Sequence, residues 1–172
     1  RVNVVPIAMD KDGIIPEALA AACDAYEAQI LCTSPEVHNP TCGFTPESRR
    51  EEIVEIARKH DLQILEDDCY RMGAAEAPTY RMLAPERGWY VSSISKTVTP
   101  SLRIGIAVAP EGKGPKLRRA AEHSFFGLAT PITDLCARLL VHPQLDSLTT
   151  KARMGTNAFV EIAVNILGGY DL

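Results

Sequence analysis

With 172 residues, 46% of them hydrophobic and 23% charged, the chain can bury one sizeable core and reads as one soluble α/β domain. A net charge of −4 with interspersed signs argues against a nucleic-acid face, the one basic cluster (Lys113, Lys116, Arg118, Arg119) falling at a predicted helix start, and no apolar run is long enough to cross a bilayer. The first residues, RVNVVPIAMDKDG, lack the parts of a secretory signal, and five cysteines (Cys23, Cys32, Cys42, Cys69, Cys136) at irregular spacings with no C-x-x-C pair argue against a zinc site or a disulfide framework; a cytoplasmic protein with free, buried thiols is expected.

Residues 2–7 predict a strand and 16–25 a short helix with proline in its first turn; 29–33 predict a second strand. A polar loop, SPEVHNPTCGF, then leads to Thr45 as N-cap with Pro46 at the first helical position. The helix over 46–60 sets Ile53, Ile56, Ala57 and His60 on one face, with Glu47, Glu51 and Glu52 early and Lys59 and His60 last, as the helix dipole favours. Residues 62–65 predict a buried strand ending at Glu66, Asp67 and Asp68, and 89–93 and 104–109 two more. Strands separated by helices imply parallel pairing, with helices on both faces of the sheet. The last connection differs: ten residues between Ser93 and Ile104, Pro100 among them, are too few for a helical crossover, so the final strand should run antiparallel. Helices are predicted over 115–124, 131–141 and 143–167, the last ended by Gly168 and Gly169.

In open parallel sheets, ligands bind beyond the carboxyl ends of the strands. Here those ends lead into Asn39, into Asp67 and Tyr70, and into Ser93 and Lys96, while an antiparallel last strand brings Arg103 to the same rim. Each has an ordinary alternative: Asp67 and Asp68 as turn caps, Tyr70 as a half-buried aromatic, Asn39 before Pro40 as turn chemistry, Lys96 as a surface lysine, Arg103 in a surface ion pair. Together they make one candidate site with an amine, a carboxylate, a phenol, an amide and a guanidinium.

The strings HNPT (38–41), EDDCY (66–70) and SSISKTVTPSLRIG (92–105) resemble the fold-type I, pyridoxal 5'-phosphate-dependent aminotransferases of class I/II. The pair Arg49 and Arg50 and the phrase LAPERGWYVSSISKTVTPSLRIGIAVAP are most similar to the branch shared with MocR regulators. The resemblance implies a three-layer α-β-α sandwich with a mostly parallel sheet and one antiparallel strand. It assigns Lys96 the aldimine with the cofactor's aldehyde and Asp67 the pyridine nitrogen, with Asp68 the weaker candidate because only Asp67 has a tyrosine three residues on. Asn39 and Tyr70 would bond the ring's 3-oxygen. Ser93 and Arg103 would hold the phosphate, and Ser95 would add a hydroxyl. Lys96, Asp67 and Tyr70 are thus the catalytic set, while His38 is unassigned and is expected to pack under the loop. Cys42 replaces the glycine of the family's NPTG without shifting the count, which bears on the loop's turn geometry and not on Asn39.

The resemblance further implies transamination between an amino acid and a 2-oxo acid, with Lys96 as proton carrier. It also implies a homodimer, for which residues 125–131 serve equally as interface or core. Family members are longer, so 1–141 are read as part of the cofactor-binding major domain and 142–172 as a long helix leading towards a minor domain outside the chain; the 172 residues alone are expected to be inactive. Two other functions fit the same residues: a cofactor-binding sensor domain of a MocR/GntR-type regulator, and another carbanion reaction, decarboxylation or β-elimination.

Overall fold

The computed structural model describes residues 3–125 and 127–168, so Val2, Phe126 and Gly169, on which parts of three expectations fall, lie outside the described residues. In chain order the elements are β1 (Met9–Asp10), β2 (Gly13–Ile14), α1 (Pro16–Tyr26), β3 (Ile30–Thr33), α2 (Glu47–Lys59), β4 (Gln63–Asp67), α3 (Tyr80–Leu83), β5 (Gly88–Ser93), β6 (Gly105–Val108), α4 (Gly114–Phe125), α5 (Thr130–Leu140) and α6 (Leu145–Leu167). The main sheet runs β3-β4-β5-β6. β3, β4 and β5 are parallel; β6 pairs antiparallel with β5, setting Gly105 opposite Ser93, as the short connection requires. The fold is α/β with a mostly parallel sheet and one antiparallel edge.

Side chains alternate across this sheet. Leu31, Ile64 and Glu66 point to a covered face, where α1, α2 and α3 bury Leu19, Cys23, Ile53, Val54, Ala57, Tyr80 and Ala84 against it. A second, smaller cluster joins Ile94, Ile104 and Cys136, so that α5 packs on the segment between β5 and β6. α6 carries no buried residue among those described.

The expected strand over 2–7 is not formed: residues 3–8 have no regular structure, and the first strand is β1, paired to β2 in a small hairpin. Pro6 has no N–H for a ladder, and Val4 is 86% exposed with no sheet face to cover. The hairpin is instead tied to α2 by Arg49, whose guanidinium reaches both oxygens of Asp10 (3.1 and 3.0 Å) and the Ile14 carbonyl (2.9 Å). A Cβ on Gly13 would lie 2.4 Å from Thr45 Oγ1, so this turn needs glycine.

The N-cap of α2 is Pro46 and not Thr45, and no side chain caps it. Thr45 is buried, its N–H donating to Pro35 O (2.8 Å) and its carbonyl accepting from Arg50 Nε (2.8 Å), because the loop before α2 packs inward on Arg50. α3 was not foreseen; Thr79 caps it by accepting from Met82 N (3.2 Å), and Gly88 lets β5 pass against its backbone, where a Cβ would meet Tyr80 O at 2.6 Å. The thiols are free, but only Cys23 and Cys136 are buried. Cys32 is exposed because it alternates away from the covered face, and Cys42 because it sits in a loop.

Ile64 is fully buried in β4 against α2. Ile64→Ala should lower the stability of the intact protein by about 2–5 kcal/mol in urea denaturation, whereas Val4→Ala should change it by less than about 0.5 kcal/mol.

Candidate functional site

At the end of β4 the strand alternation separates three acidic neighbours. Glu66 and Asp68 turn into the covered face and are buried; Asp67 is exposed on the opposite face, where its Oδ1 accepts from Cys69 N (3.0 Å). Of the two aspartates, Asp67 is therefore the one open to a ligand. Burial, with the Asp67 carboxylate beside it, pushes the Cys69 thiol up to about 11 and keeps it protonated.

Three of the candidate residues meet directly. Asn39, in the loop after β3, donates from Nδ2 to Tyr70 Oη (3.1 Å), and Lys96 Nζ lies 5.5 Å from the Tyr70 ring centroid. The Asn39 loop closes on itself: Cys42, at φ 57, donates its N–H to His38 O (2.6 Å), and His38 Nδ1 pairs with Thr41 Oγ1 (2.7 Å). Cys42 thus adopts the left-handed conformation that glycine would reach without strain, and the turn is kept.

The others share the rim by register. Ser93 closes β5 opposite Gly105, and its Oγ accepts from Ser95 N (3.4 Å). A 3₁₀ turn over Pro100–Leu102, capped by Thr99, delivers Arg103 at φ 52, two residues before Gly105. Among the described residues, neither Lys96 nor Arg103 joins an ion pair, and no side-chain hydrogen bond links Ser93, Ser95 or Arg103 to Lys96.

Two buried networks behind the rim were missed in the sequence. Arg50 is fully buried, donating to Glu36 Oε1 (2.7 Å), Thr45 O (2.8 Å) and Pro78 O (3.0 Å), with Glu66 Oε1 at 3.8 Å. Glu66 Oε2 accepts from Tyr80 N (2.6 Å). Burial outweighs these partners and pushes the Glu66 carboxyl up to about 7. In the second network, Asp68 Oδ2 accepts from Arg71 Nε and from Tyr90 Oη, each at 2.6 Å. The only signal for either was period-2 alternation through EDD, which sends positions 66 and 68 inward without naming a partner.

A mostly parallel sheet with an exposed amine, phenol and amide on its carboxyl rim defines a fold-type I pyridoxal-phosphate protein. The chain belongs to the class I and II aminotransferase family, whose model matches residues 1–157, and pyridoxal 5'-phosphate is that family's cofactor. It is 32% identical over 136 residues to the 2-aminoadipate transaminase of Thermus thermophilus, covering 75% of this chain and 33% of that protein. It is 26% identical over 170 residues to YdeF, an uncharacterized HTH-type transcriptional regulator of Bacillus subtilis, covering 98% of this chain and 37% of the regulator. The multiple substrate aminotransferase of Thermococcus profundus has the same fold, with a TM-score of 0.83 at 21% identity, covering 96% of this chain and 43% of that one. The chain thus spans about a third of the length of these curated relatives.

Glu66 sets a pH dependence. Its folded-state carboxyl holds a proton up to about 7 against 4.5 when free, so its contribution to stability is complete below pH 4.5 and lost as pH rises towards 7. Glu66→Gln, uncharged throughout, should flatten the fall in denaturation free energy across that window by an amount on the order of 3 kcal/mol at most, read as the difference between variant and parent.

Proposed function

We propose that this chain is the cofactor-binding core of a pyridoxal-phosphate-dependent aminotransferase that moves an amino group between an amino acid and a 2-oxo acid. The observation that carries the reading is the Lys96 amine, free of ion pairs among the described residues and facing Tyr70, whose hydroxyl is engaged by Asn39. An amine that must act as nucleophile needs open access, and among the described residues no carboxylate pairs with Lys96. The set on the rim suits a phosphorylated pyridine aldehyde: an amine for the aldehyde, an exposed carboxylate, Asp67, for the ring nitrogen, and amide and phenol donors for the ring oxygen. Arg103, Ser93 and Ser95 supply a guanidinium fork and hydroxyls for the phosphate.

When bound, the cofactor supplies an electron sink for the carbanion formed at the substrate's α-carbon. Asp67 would hold the ring nitrogen protonated, Asn39 and Tyr70 would orient the ring oxygen, and Arg103 would anchor the phosphate end. Lys96 would hold the cofactor through its amine, and the same Nζ is placed to carry the α-proton. In this reading residues 1–141 belong to the major domain of a cytoplasmic homodimer, and residues 142–172, which include α6, lead to a minor domain. Among the described residues no helix is long and apolar enough to cross a membrane.

A second reading is favoured by the Bacillus subtilis relatives: the same core as the metabolite-sensing part of a transcriptional regulator. One set of measurements on the intact protein separates them. Borohydride should abolish the visible absorption band and leave a label on Lys96, and Lys96→Ala should remove the band and lower amino-group transfer to 2-oxoglutarate by about 10²–10⁴-fold or more. A label on Lys96 without transfer supports the sensor, and oxo acid without aminated product supports another carbanion reaction. An unchanged band in Lys96→Ala overturns the assignment.

A further inference from the structure

Tyr70 is 43% exposed, and its contacts on the rim are Asn39 Nδ2 at its hydroxyl and Lys96 Nζ near its ring. A ring this exposed is only partly held by its neighbours, so its direction depends also on the backbone that carries it. That backbone is pinned on both sides from the covered face of the sheet. On one side, Asp68 donates its N–H to Val91 O (2.8 Å), and its carbonyl accepts from Ser92 Oγ (3.2 Å). On the other, the Arg71 guanidinium spreads three ways: Nε to Asp68 Oδ2 (2.6 Å), Nη2 to Tyr90 Oη (3.1 Å) and Nη1 to Gly73 O. Tyr90 Oη also donates to Asp68 Oδ2 (2.6 Å).

We propose that Arg71, clamped by Asp68 and Tyr90, is a positioning residue for Tyr70 and, through it, for the donors that Lys96 and the cofactor's ring oxygen meet. The inference rests on the reading that Tyr70 donates to that oxygen. Packing alone does not call for the arrangement. A fully buried carboxylate is costly unless paired and hydrogen-bonded, and an apolar residue would fill the same space at no such cost. What the pair adds is direction: a planar guanidinium bonding to three fixed acceptors closes residues 68–73 into one rigid loop around Tyr70, which a lysine or a leucine cannot do.

The test is the pH midpoint of the visible absorption band in the cofactor-loaded intact protein. A phenol donating to the charged ring oxygen favours that charge, so Tyr70→Phe should move the midpoint up by about one pH unit. Arg71→Ala should move it in the same direction by at least half as much, and should add nothing in the Tyr70→Phe background, because both changes remove one donor. Tyr90→Phe, which keeps the ring and the Asp68–Arg71 pair, should give a smaller shift of the same sign and decides the matter by the same criterion if Arg71→Ala does not fold. A lowered denaturation midpoint with the band's midpoint unmoved would overturn the proposal, as would equal shifts in the parent and Tyr70→Phe backgrounds. No shift in Tyr70→Phe, with borohydride still labelling Lys96, sinks this inference alone; an unlabelled Lys96 sinks the functional reading with it.

Discussion

Everything at this rim depends on what happens to three successive acids at the end of β4. Pleating sends Glu66 and Asp68 to the covered face and Asp67 to the open one, so one carboxylate is presented while its two neighbours must be accommodated inside. Each buried acid has an arginine from outside its strand. Arg50, on α2, spans Glu36, Thr45 and Pro78 with Glu66 nearby, and so joins β4 to the loop that carries Asn39. Arg71 joins the same strand end to β5 and to the loop that carries Tyr70. The hydrogen bond between Asn39 and Tyr70 is the place where these two scaffolds meet.

The two kinds of interaction have different work. Ile53, Ile64, Leu19 and Leu62 are each essentially removed from water, and burial of this kind contributes about 1.5–3 kcal/mol per large side chain. That is what holds the helices to the sheet. Buried ion pairs are close to neutral in net stability, yet removing one partner costs about 3–5 kcal/mol because the other is stranded. Their contribution is therefore to specificity: they fix where the loops lie relative to a sheet that the apolar core would hold together without them. Glu66, with Oε1 lacking a hydrogen-bond partner among the described residues, keeps its proton to higher pH than a free carboxyl.

This division explains what could be read from the chain. The four sheet strands and five of the six helices were visible as apolar runs and helical periods, and the reversed last strand followed from a connection too short to cross over. The strand over 2–7 was misread because an apolar run does not reveal whether an edge is available to pair with it, and Pro6 denies one donor. Thr45 looked like a cap because it precedes a proline, while the burial of Arg50 that pulls Thr45 inward could not be seen: its partners lie 5, 14 and 28 residues away in the chain. Asn39, Asp67, Tyr70, Lys96 and Arg103 stood out since polar groups at strand ends have no local reason to gather. Asp68 stood out only as the weaker candidate for the ring nitrogen and Arg71 not at all, because an acid and an arginine three residues apart read as an ordinary turn.

The rim also bears on how one fold can occur both in transaminases and in proteins named as transcriptional regulators. Its exposed groups, Lys96, Arg103 and Asp67, are kept apart from counter-ions among the described residues, while the charges behind them are paired. Separation of this kind costs little in water, where an exposed ion is well solvated, and on the proposed reading it would leave the amine and the guanidinium available to an aldehyde and a phosphate. On that reading, fixing those groups would organise a cofactor without deciding the fate of the carbanion it would stabilise. That fate is set by what contacts the substrate, so relatives of similar sequence in this core can be transaminases in one case and transcriptional regulators in another.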